Sequence, residues 1–262
     1  MKNLLKSLLF FCLIVLVTSC AKREKTLKIA ATAVPHMEML TYIEPDLEKE
    51  GVFLEIVVVD DYNIPNRALA DGEVDANFFQ HAPYLASQVK MFEYPITTLV
   101  KVHLEPMGVY SKKIKNLADL AEKAIISLPN DPTNEARALA LLHRSGIITM
   151  DDPDNTQATV LNIVHNPKNI TFVEMDAAML PRTLQDVDAS IIPTNFALQA
   201  DLKPMVDALV REDSTSNFAN VIAIRIGDEN RPELIALKKA ITSEKMRAHI
   251  LEKYKGAIQP VF

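Results

Sequence analysis

The sequence predicts an α/β protein with two lobes built on largely parallel sheets. Short apolar runs typical of strands alternate with helical segments along the whole chain, an order typical of sheets covered by helices. Two segments, 103–111 and 218–226, link one set of strand–helix units to the other. Because two such crossings form a hinge that can close over a ligand, we expect a site between the lobes. With 48% hydrophobic residues among 262, the chain can bury one or two cores.

The individual elements follow from the periodicity of the apolar residues. Strands are expected at residues 27–33, 52–59, 96–102, 124–128, 170–174 and 189–192. Helices are expected at residues 37–50, 82–91, 117–123, 135–145, 179–185 and 232–254, the last one broken near Ser243. A further short strand precedes Asp75, and another lies within residues 218–226 at the second crossing.

The N-terminus has the pattern of a bacterial lipoprotein signal. Two lysines precede an apolar run at 8–17, which is too short for a comfortable membrane span. The motif at 17–20, Val-Thr-Ser-Cys, fits a lipobox, in which the signal is cut before a cysteine that then carries lipid. We therefore expect a signal peptide at 1–19, and a lipidated Cys20 with a basic tether at 20–26. The alternative is a signal cut elsewhere, with the cysteine incidental.

The composition of the mature chain excludes several classes of protein. Residues 1–19 hold two of the 28 basic residues and no acidic one, so 26 basic residues face 34 acidic ones, a net charge of −8. Such a surface argues against nucleic acid as a partner. Cys12 leaves with the signal, so Cys20 has no partner for an internal disulfide. The six histidines show no metal-ligand spacing, so we expect no metal.

A strand-to-helix junction at 124–137 has the composition of a carboxylate receptor. Two prolines stop the strand, and Thr133 and Asn134 are good N-caps for the helix that follows. Unpaired N–H groups and the positive end of the helix dipole collect at such a start. Arg137 lies on the same helix face as Asn134, and a guanidinium holds a carboxylate through two parallel N–H···O bonds. The alternative is an ordinary junction whose arginine is solvated.

An aromatic cluster at 75–85 predicts the second half of a pocket. Phe79, His81 and Tyr84 lie within it, and Tyr62 follows the preceding apolar strand. Both segments lie at the carboxyl ends of expected parallel strands, where ligands bind. Rings of this kind suit an unbranched thioether, because sulfur–aromatic contacts add ~0.3 to 1.5 kcal/mol each. The alternative is that these aromatic residues only fill the core.

Together these motifs resemble the NlpA-type lipoproteins, the methionine-binding (MetQ) family of substrate-binding proteins for ABC importers. The resemblance runs from Leu27 to Phe262 and rests on Asp61-Tyr62, Pro65-Asn66, Ala68-Leu69, Asp75-Ala76-Asn77, Phe79-Gln80-His81, Pro83-Tyr84-Leu85, residues 129–134 with Arg137, and Asn166-Pro167-Lys168-Asn169. It implies a type II periplasmic-binding-protein fold with two hinge crossovers. Lobe 1 would comprise residues 27–105 plus 226–262, and lobe 2 residues 106–225.

The resemblance also implies roles for individual pocket residues. Four of them match positions around a methionine side chain: Tyr62, Phe79, His81 and Tyr84. Arg137, supported by Asn134, matches a carboxylate clamp, and Asn220 matches an asparagine that holds the ligand's backbone polar groups. Without the resemblance, Asn220 would be read as part of a strand-end turn. Pro193 stands where the family usually has asparagine, and Asn195 is the candidate to substitute for it.

The expected function is that of a lipid-anchored substrate-binding protein on the extracytoplasmic side of a bacterial membrane. It would deliver L-methionine, or a closely related amino acid or dipeptide, to the permease and ATPase of an ABC importer. The sequence contains no nucleophile elbow, phosphate loop or dinucleotide fingerprint, so we expect no enzymatic activity and no cofactor. The alternative, suggested by the proline at 193, is a surface lipoprotein with a relaxed or retuned pocket that acts in cell-surface or host interaction.

Overall fold

The structure, a computed structural model, describes residues 25–213 and 217–262. The predicted signal peptide at 1–19, the predicted lipidation site Cys20 and most of the tether at 20–26 lie outside the described residues. Across the two described ranges, no helix is long and apolar enough to span a bilayer.

The described residues form strands and helices in the following order. The strands are β1 (Lys25–Thr32), β2 (Val52–Val59), β3 (Ala76–His81), β4 (Ile96–Leu104), β5 (Gly108–Tyr110), β6 (Ile125–Pro129), β7 (Thr149–Met150), β8 (Ile163–His165), β9 (Thr171–Met175), β10 (Ala189–Ile192), β11 (Ala208–Arg211), β12 (Ala219–Arg225) and β13 (Gln259–Pro260). The α-helices are α1 (Glu38–Lys49), α2 (Ile64–Ala70), α3 (Ala82–Phe92), α4 (Pro132–Arg144), α5 (Leu180–Thr183), α6 (Thr194–Gln199), α7 (Pro204–Asp207), α8 (Pro232–Ile241) and α9 (Glu244–Tyr254).

The first sheet has six strands within the described residues, in the order β13-β4-β12-β3-β1-β2. β1 runs parallel to β2 and β3, whereas β12 lies antiparallel between β3 and β4. Alternate residues of β1 reach opposite faces. Leu27 and Ile29 join the core formed with α1, α8 and α9, while Ala30 joins the core formed with α2 and α3. Helices therefore cover both faces of this sheet.

The second sheet has five strands in the part of the chain that is described, in the order β11-β5-β10-β6-β9. β6 runs parallel to β9 and β10, and β5 pairs antiparallel with β10 and β11. One core packs Leu139 and Leu142 of α4 with Ile126 of β6. A smaller cluster joins Tyr110 of β5 to Phe196 of α6. Each sheet thus has hydrophobic cores of its own.

The chain passes between the two sheets twice, once between β4 and β5 and once between β11 and β12. This confirms the two-lobed α/β fold. The predicted lobe 2 ran to residue 225, but β12 is hydrogen-bonded between β3 and β4 in the first sheet. Its run of buried apolar residues, Ala219–Arg225, completes that sheet. The limits of the lobes stay a prediction, and the topology favours a return crossover between residues 211 and 219.

Most predicted elements agree with the structure. The six strands expected by residue range are all present with bounds shifted by two residues at most, and the last helix is interrupted at Ser243 as expected. The helix expected at 117–123 is wrong, because only a single 3₁₀ turn forms at Leu117–Asp119. The chain then turns into β6 through Lys123, whose positive φ of 62° is incompatible with a continuing helix. The expected helix at 179–185 is shortened to α5.

Candidate ligand-binding site

A small cavity of about 20 Å³ is lined by residues from both lobes. A cavity of this volume holds about one water molecule, so an amino acid could enter only if the lobes moved apart. Every predicted site residue lines it, namely Tyr62, Phe79, His81, Tyr84, Asn134, Arg137, Asn195 and Asn220. The cavity is also lined by Gln80, Glu105 and Thr194, which the sequence analysis did not propose as site residues. Pro193, which stands where the family usually has asparagine, lines it as well. Whether these side chains hold a ligand stays a prediction.

The residues that line the cavity lie near the ends of strands and helices in both lobes. The end of β3 provides Phe79 and His81, the start of β12 provides Asn220, and α4 and α6 contribute their first turns. Glu105 lies directly after β4, in the first crossover. Parallel strands end at a common edge of their sheet, which is why motifs distant in sequence meet here.

Three aromatic rings form one wall of the cavity. The ring centroids of Tyr62, Phe79 and Tyr84 lie 5.9 to 6.0 Å from one another, and Phe196 lies 5.1 Å from Tyr62. The Tyr84 hydroxyl donates to the Tyr62 carbonyl at 2.9 Å, and the Tyr62 hydroxyl donates to Oδ1 of Asn195 at 2.7 Å. Burial raises the pKa of both tyrosines, so both hydroxyls stay protonated. The result is an apolar slot whose polar atoms are already paired.

The start of α4 differs from the sequence prediction in its cap. Asp131, rather than Thr133 or Asn134, is the N-cap, and its carboxylate accepts from the Asn134 backbone N–H at 3.0 Å. Pro132 therefore takes the first helical position, where a missing N–H costs nothing. Burial raises the pKa of Asp131, although the hydrogen bonds from Asn134 oppose that shift. The anion-binding end of this helix is thus occupied by a carboxylate of the chain itself.

Arg137 is also paired within the chain. Its Nε donates to Oε1 and Oε2 of Glu212 at 2.8 and 3.0 Å, and its Nη2 donates to the same carboxylate and to the Glu105 carbonyl at 2.7 Å. The Phe218 ring lies 4.5 Å from its Cζ. The two-bond geometry expected for a carboxylate is present, but Glu212 supplies that carboxylate. Glu212 lies 75 residues further along the chain, so no local spacing pointed to it.

His81 links the aromatic wall to α4. Its Nδ1 accepts from the Tyr84 backbone N–H at 3.0 Å and caps α3, while its Nε2 meets Oδ1 of Asn134 at 3.0 Å. Burial and the nearby charge of Arg137 lower the pKa of His81 to about 3, so the ring is neutral. His81 therefore fixes the wall and carries no charge into the cavity.

Glu105 sits in a buried group with two histidines. Its Oε1 lies 2.7 Å from Nε2 of His103 and 3.3 Å from Nε2 of His36. His36 also meets Oδ1 of Asn220 at 3.2 Å and the Thr32 hydroxyl at 2.6 Å. Burial lowers the pKa of His36 to about 4 and that of His103 to about 3, and it raises the pKa of Glu105. Both rings are therefore neutral at pH 7.

The spacing along the chain does not indicate this group, because its members come from different elements. The ligand atoms of His36, His103 and Glu105 lie within 4.8 Å of one another, a composition that divalent metals also accept. Nε2 of each histidine faces an acceptor oxygen, so we place the ring proton on Nε2, where it donates a hydrogen bond. Among the described residues, Nδ1 of the buried His103 has no hydrogen-bond partner, and the expectation of no metal stays a prediction.

The start of α6 contains Pro193, the proline that replaces the usual asparagine of the family, and the two residues that follow it. Pro193 is the N-cap and donates nothing, while Thr194 donates its hydroxyl to the Pro106 carbonyl at 2.6 Å. Asn195 uses its Oδ1 for Tyr62, and its buried Nδ2 has no hydrogen-bond partner among the described residues. An orphaned donor of this kind points to an acceptor on a ligand. Asn195 thus offers the amide that the proline lacks.

Two lobes that enclose one buried cavity, with an aromatic wall and a polar end, define a substrate-binding protein. Comparison with known proteins gives the family. The chain matches the model of the NlpA lipoprotein family over residues 27–262, and it belongs to that family, which confirms the resemblance seen in the sequence.

Known relatives are similar over nearly the whole chain. The chain is 40% identical over 243 residues to the methionine-binding lipoprotein MetQ of Bacillus subtilis, covering 91% of this chain and 89% of that protein. It is 43% identical to a nutrient-binding protein from Burkholderia cenocepacia bound to methionine, with a TM-score of 0.87 over 90% of this chain and all of that one. It is 41% identical to a periplasmic substrate-binding protein of an ABC transporter from Coxiella burnetii, with a TM-score of 0.85 over 90% of this chain and all of that one.

Proposed function

We propose that this protein captures L-methionine, or a closely related amino acid, outside the cell membrane and delivers it to the permease and ATPase of an ABC importer. A lipid on Cys20 would hold it at the membrane. The observation that carries the proposal is the lining of the cavity, which combines an aromatic slot with a polar end between the two lobes. The relatives named for methionine binding support the choice of ligand.

The slot suits an unbranched thioether. Tyr62, Phe79 and Tyr84 present ring faces and edges, and the two tyrosine hydroxyls are bonded to protein atoms, so neither donor opposes an apolar side chain. Sulfur–aromatic contacts contribute roughly 0.3–1.5 kcal/mol each. A longer charged side chain would bury its charge against this wall without a partner, which is unfavourable by several kcal/mol.

The ligand carboxylate would bind at the donors that the protein leaves free. Glu212 occupies Nε and Nη2 of Arg137, but Nη1 donates no hydrogen bond within the described residues. Asn195 Nδ2 is the second free donor lining the cavity. We therefore assign the carboxylate to these two groups. The clamp inferred from the sequence is kept as a site, with its two-point geometry now shared between two side chains.

Calorimetry on the mature chain, residues 20–262, tests this function. The protein is refolded from denaturant to remove bound ligand and titrated with L-methionine, D-methionine and a panel of amino acids and dipeptides. We expect selective methionine binding, and a loss of about 30-fold or more for Arg137→Ala, since a buried charged contact is removed. Arg144→Ala on the same helix is the matched control, because its side chain is 57% exposed and pairs with Asp154 at the surface.

The outcomes separate the two functions considered. Binding of another amino acid or a dipeptide in place of methionine would identify a retuned pocket. Absence of binding to every member of the panel would contradict the importer role and favour the surface-lipoprotein alternative.

A further inference from the structure

We propose that Glu105 holds the α-ammonium group of the ligand and makes a free amino group the main requirement for binding. This inference rests on the proposed function, because it concerns the same cavity. Glu105 stood in no predicted site, and the sequence around it gave no sign of a binding residue.

The charges around the cavity call for a cation. Arg137 and Glu212 neutralise each other through a buried two-point pair, with 4% and 5% of their side chains exposed. His81 is neutral. Glu105 is 5% exposed, and its ion-pair partners in the described part of the chain are the neutral rings of His36 and His103. Among the described residues, an ionised Glu105 therefore has no full positive partner of its own, and burial disfavours its charged form until a cation binds.

The hydrogen bonds around Glu105 leave room for such a cation. Both histidines direct Nε2 at Oε1, and this fixes the orientation of the carboxylate. Apart from the Asn195 backbone N–H, which faces the carboxylate, the described residues place no donor on Oε2. Asn220 Oδ1, 3.2 Å from Nε2 of His36, is a second acceptor at the cavity. An ammonium has three donors and no acceptor, so it matches these oxygens.

The polar end of the cavity is therefore divided by hydrogen-bonding type. Glu105 and Asn220 bring acceptors to the cavity, whereas Arg137 Nη1 and Asn195 Nδ2 are donors that make no hydrogen bond within the described residues. A zwitterion with its ammonium on one side and its carboxylate on the other satisfies both sides. Since the acceptor side carries the uncompensated charge, loss of the ammonium should cost more affinity than loss of the carboxylate charge.

Two ligand analogues test the assignment on the unmodified mature chain, residues 20–262. 4-(Methylthio)butyrate lacks only the amino group of methionine, and methioninamide keeps the amino group while its carboxylate charge is removed. By calorimetry at neutral pH, we expect 4-(methylthio)butyrate to bind about 100-fold more weakly than L-methionine. We expect a smaller loss for methioninamide. The comparison needs no variant, so it does not depend on whether a substituted protein folds.

A substitution then attributes the effect to one residue. Glu105→Gln keeps the shape and removes the charge, so we expect L-methionine to bind about 30-fold more weakly and 4-(methylthio)butyrate to change by less than about threefold. Glu135→Gln is the matched control, since Glu135 is a partly buried carboxylate on α4 that bonds to the Val160 backbone and does not line the cavity. We expect it to bind both ligands as the wild type does.

The results separate this inference from the function on which it rests. If the wild type binds L-methionine and 4-(methylthio)butyrate equally well, Glu105 does not hold an ammonium, yet the methionine function stands. The same holds if Glu105→Gln weakens both ligands by equal factors, which would show a structural role. If the wild type binds no amino acid at all, both proposals fail.

Discussion

The buried pair between Arg137 and Glu212 gives a prediction about stability that the geometry makes quantitative. Glu212→Gln removes the negative charge but keeps the side-chain shape. The Arg137 guanidinium then stays buried, 4% exposed, without its counter-charge. Removing one partner of a buried pair costs about 3–5 kcal/mol, because the remaining charge is desolvated and uncompensated. A glutamine also accepts less well from the Met107 backbone N–H, which donates to Glu212 at 2.9 Å.

Urea unfolding of the ligand-free protein, followed by circular dichroism, measures the effect. We expect a fall in the free energy of unfolding of about 3–5 kcal/mol at an unchanged denaturant slope. Asp154→Asn is the matched control, because it breaks the pair with Arg144 at 3.3 Å, in which 57% and 87% of the side chains are exposed. An exposed pair contributes roughly 0–1 kcal/mol.

A double variant separates the ion pair from the shape of the site. Arg137→Met with Glu212→Leu removes both charges together, and replacement of a buried pair by apolar residues is often neutral. We therefore expect the double variant to be more stable than Glu212→Gln. A loss below about 1 kcal/mol for Glu212→Gln, or a double variant that loses the sum of both single effects, would show that the pair is not a buried ion pair in solution.

Two further outcomes concern the site. Burial raises the pKa of Glu105, while His36 and Arg137 oppose that shift and neutral His103 donates to the carboxylate. A bound ammonium needs the ionised form of Glu105. Methionine binding is therefore full above the pKa of Glu105 and is lost as the pH falls through it. Calorimetry between about pH 8 and pH 5 should show the methionine affinity falling before ordinary carboxylates titrate. Tyr62→Phe leaves the Asn195 Oδ1 without its donor, and we expect the free energy of methionine binding to weaken by about 1 kcal/mol, with an unchanged affinity counting against the wall geometry.

Local patterns predicted most of the elements, and the residues they singled out line one cavity. β2 and β10 have the predicted bounds because each is a mainly apolar run, interrupted only by Glu55 or Ser190, that ends at Asp60 or Pro193. The aromatic residues of the pocket were proposed because they lie near the ends of expected parallel strands, which meet at one edge, whereas Asn195 and Asn220 came from the family resemblance. The same reasoning could have predicted the cap at Asp131. Aspartate is as good an N-cap as asparagine, and proline is favoured at the position that follows a cap.

Pairings between distant segments were out of reach. Arg137 meets Glu212 across 75 residues, and His36 meets Asn220 across 184. No periodicity encodes such contacts, because they depend on where the crossovers place each segment. The insertion of β12 between β3 and β4 is of the same kind, since a buried apolar strand fits either sheet by composition. The sequence therefore indicated the members of the site and left their partners open.

The two crossovers converge on Arg137. Its Nη2 donates to the carbonyl of Glu105 in the first crossover, and its Nε donates to Glu212 in the second. An Arg137→Ala variant therefore removes a ligand donor and also frees both connections between the sheets. Its loss of binding combines two effects that its affinity alone does not separate. The analogue comparison avoids this problem, because it changes one group on the ligand and leaves every contact of the hinge intact.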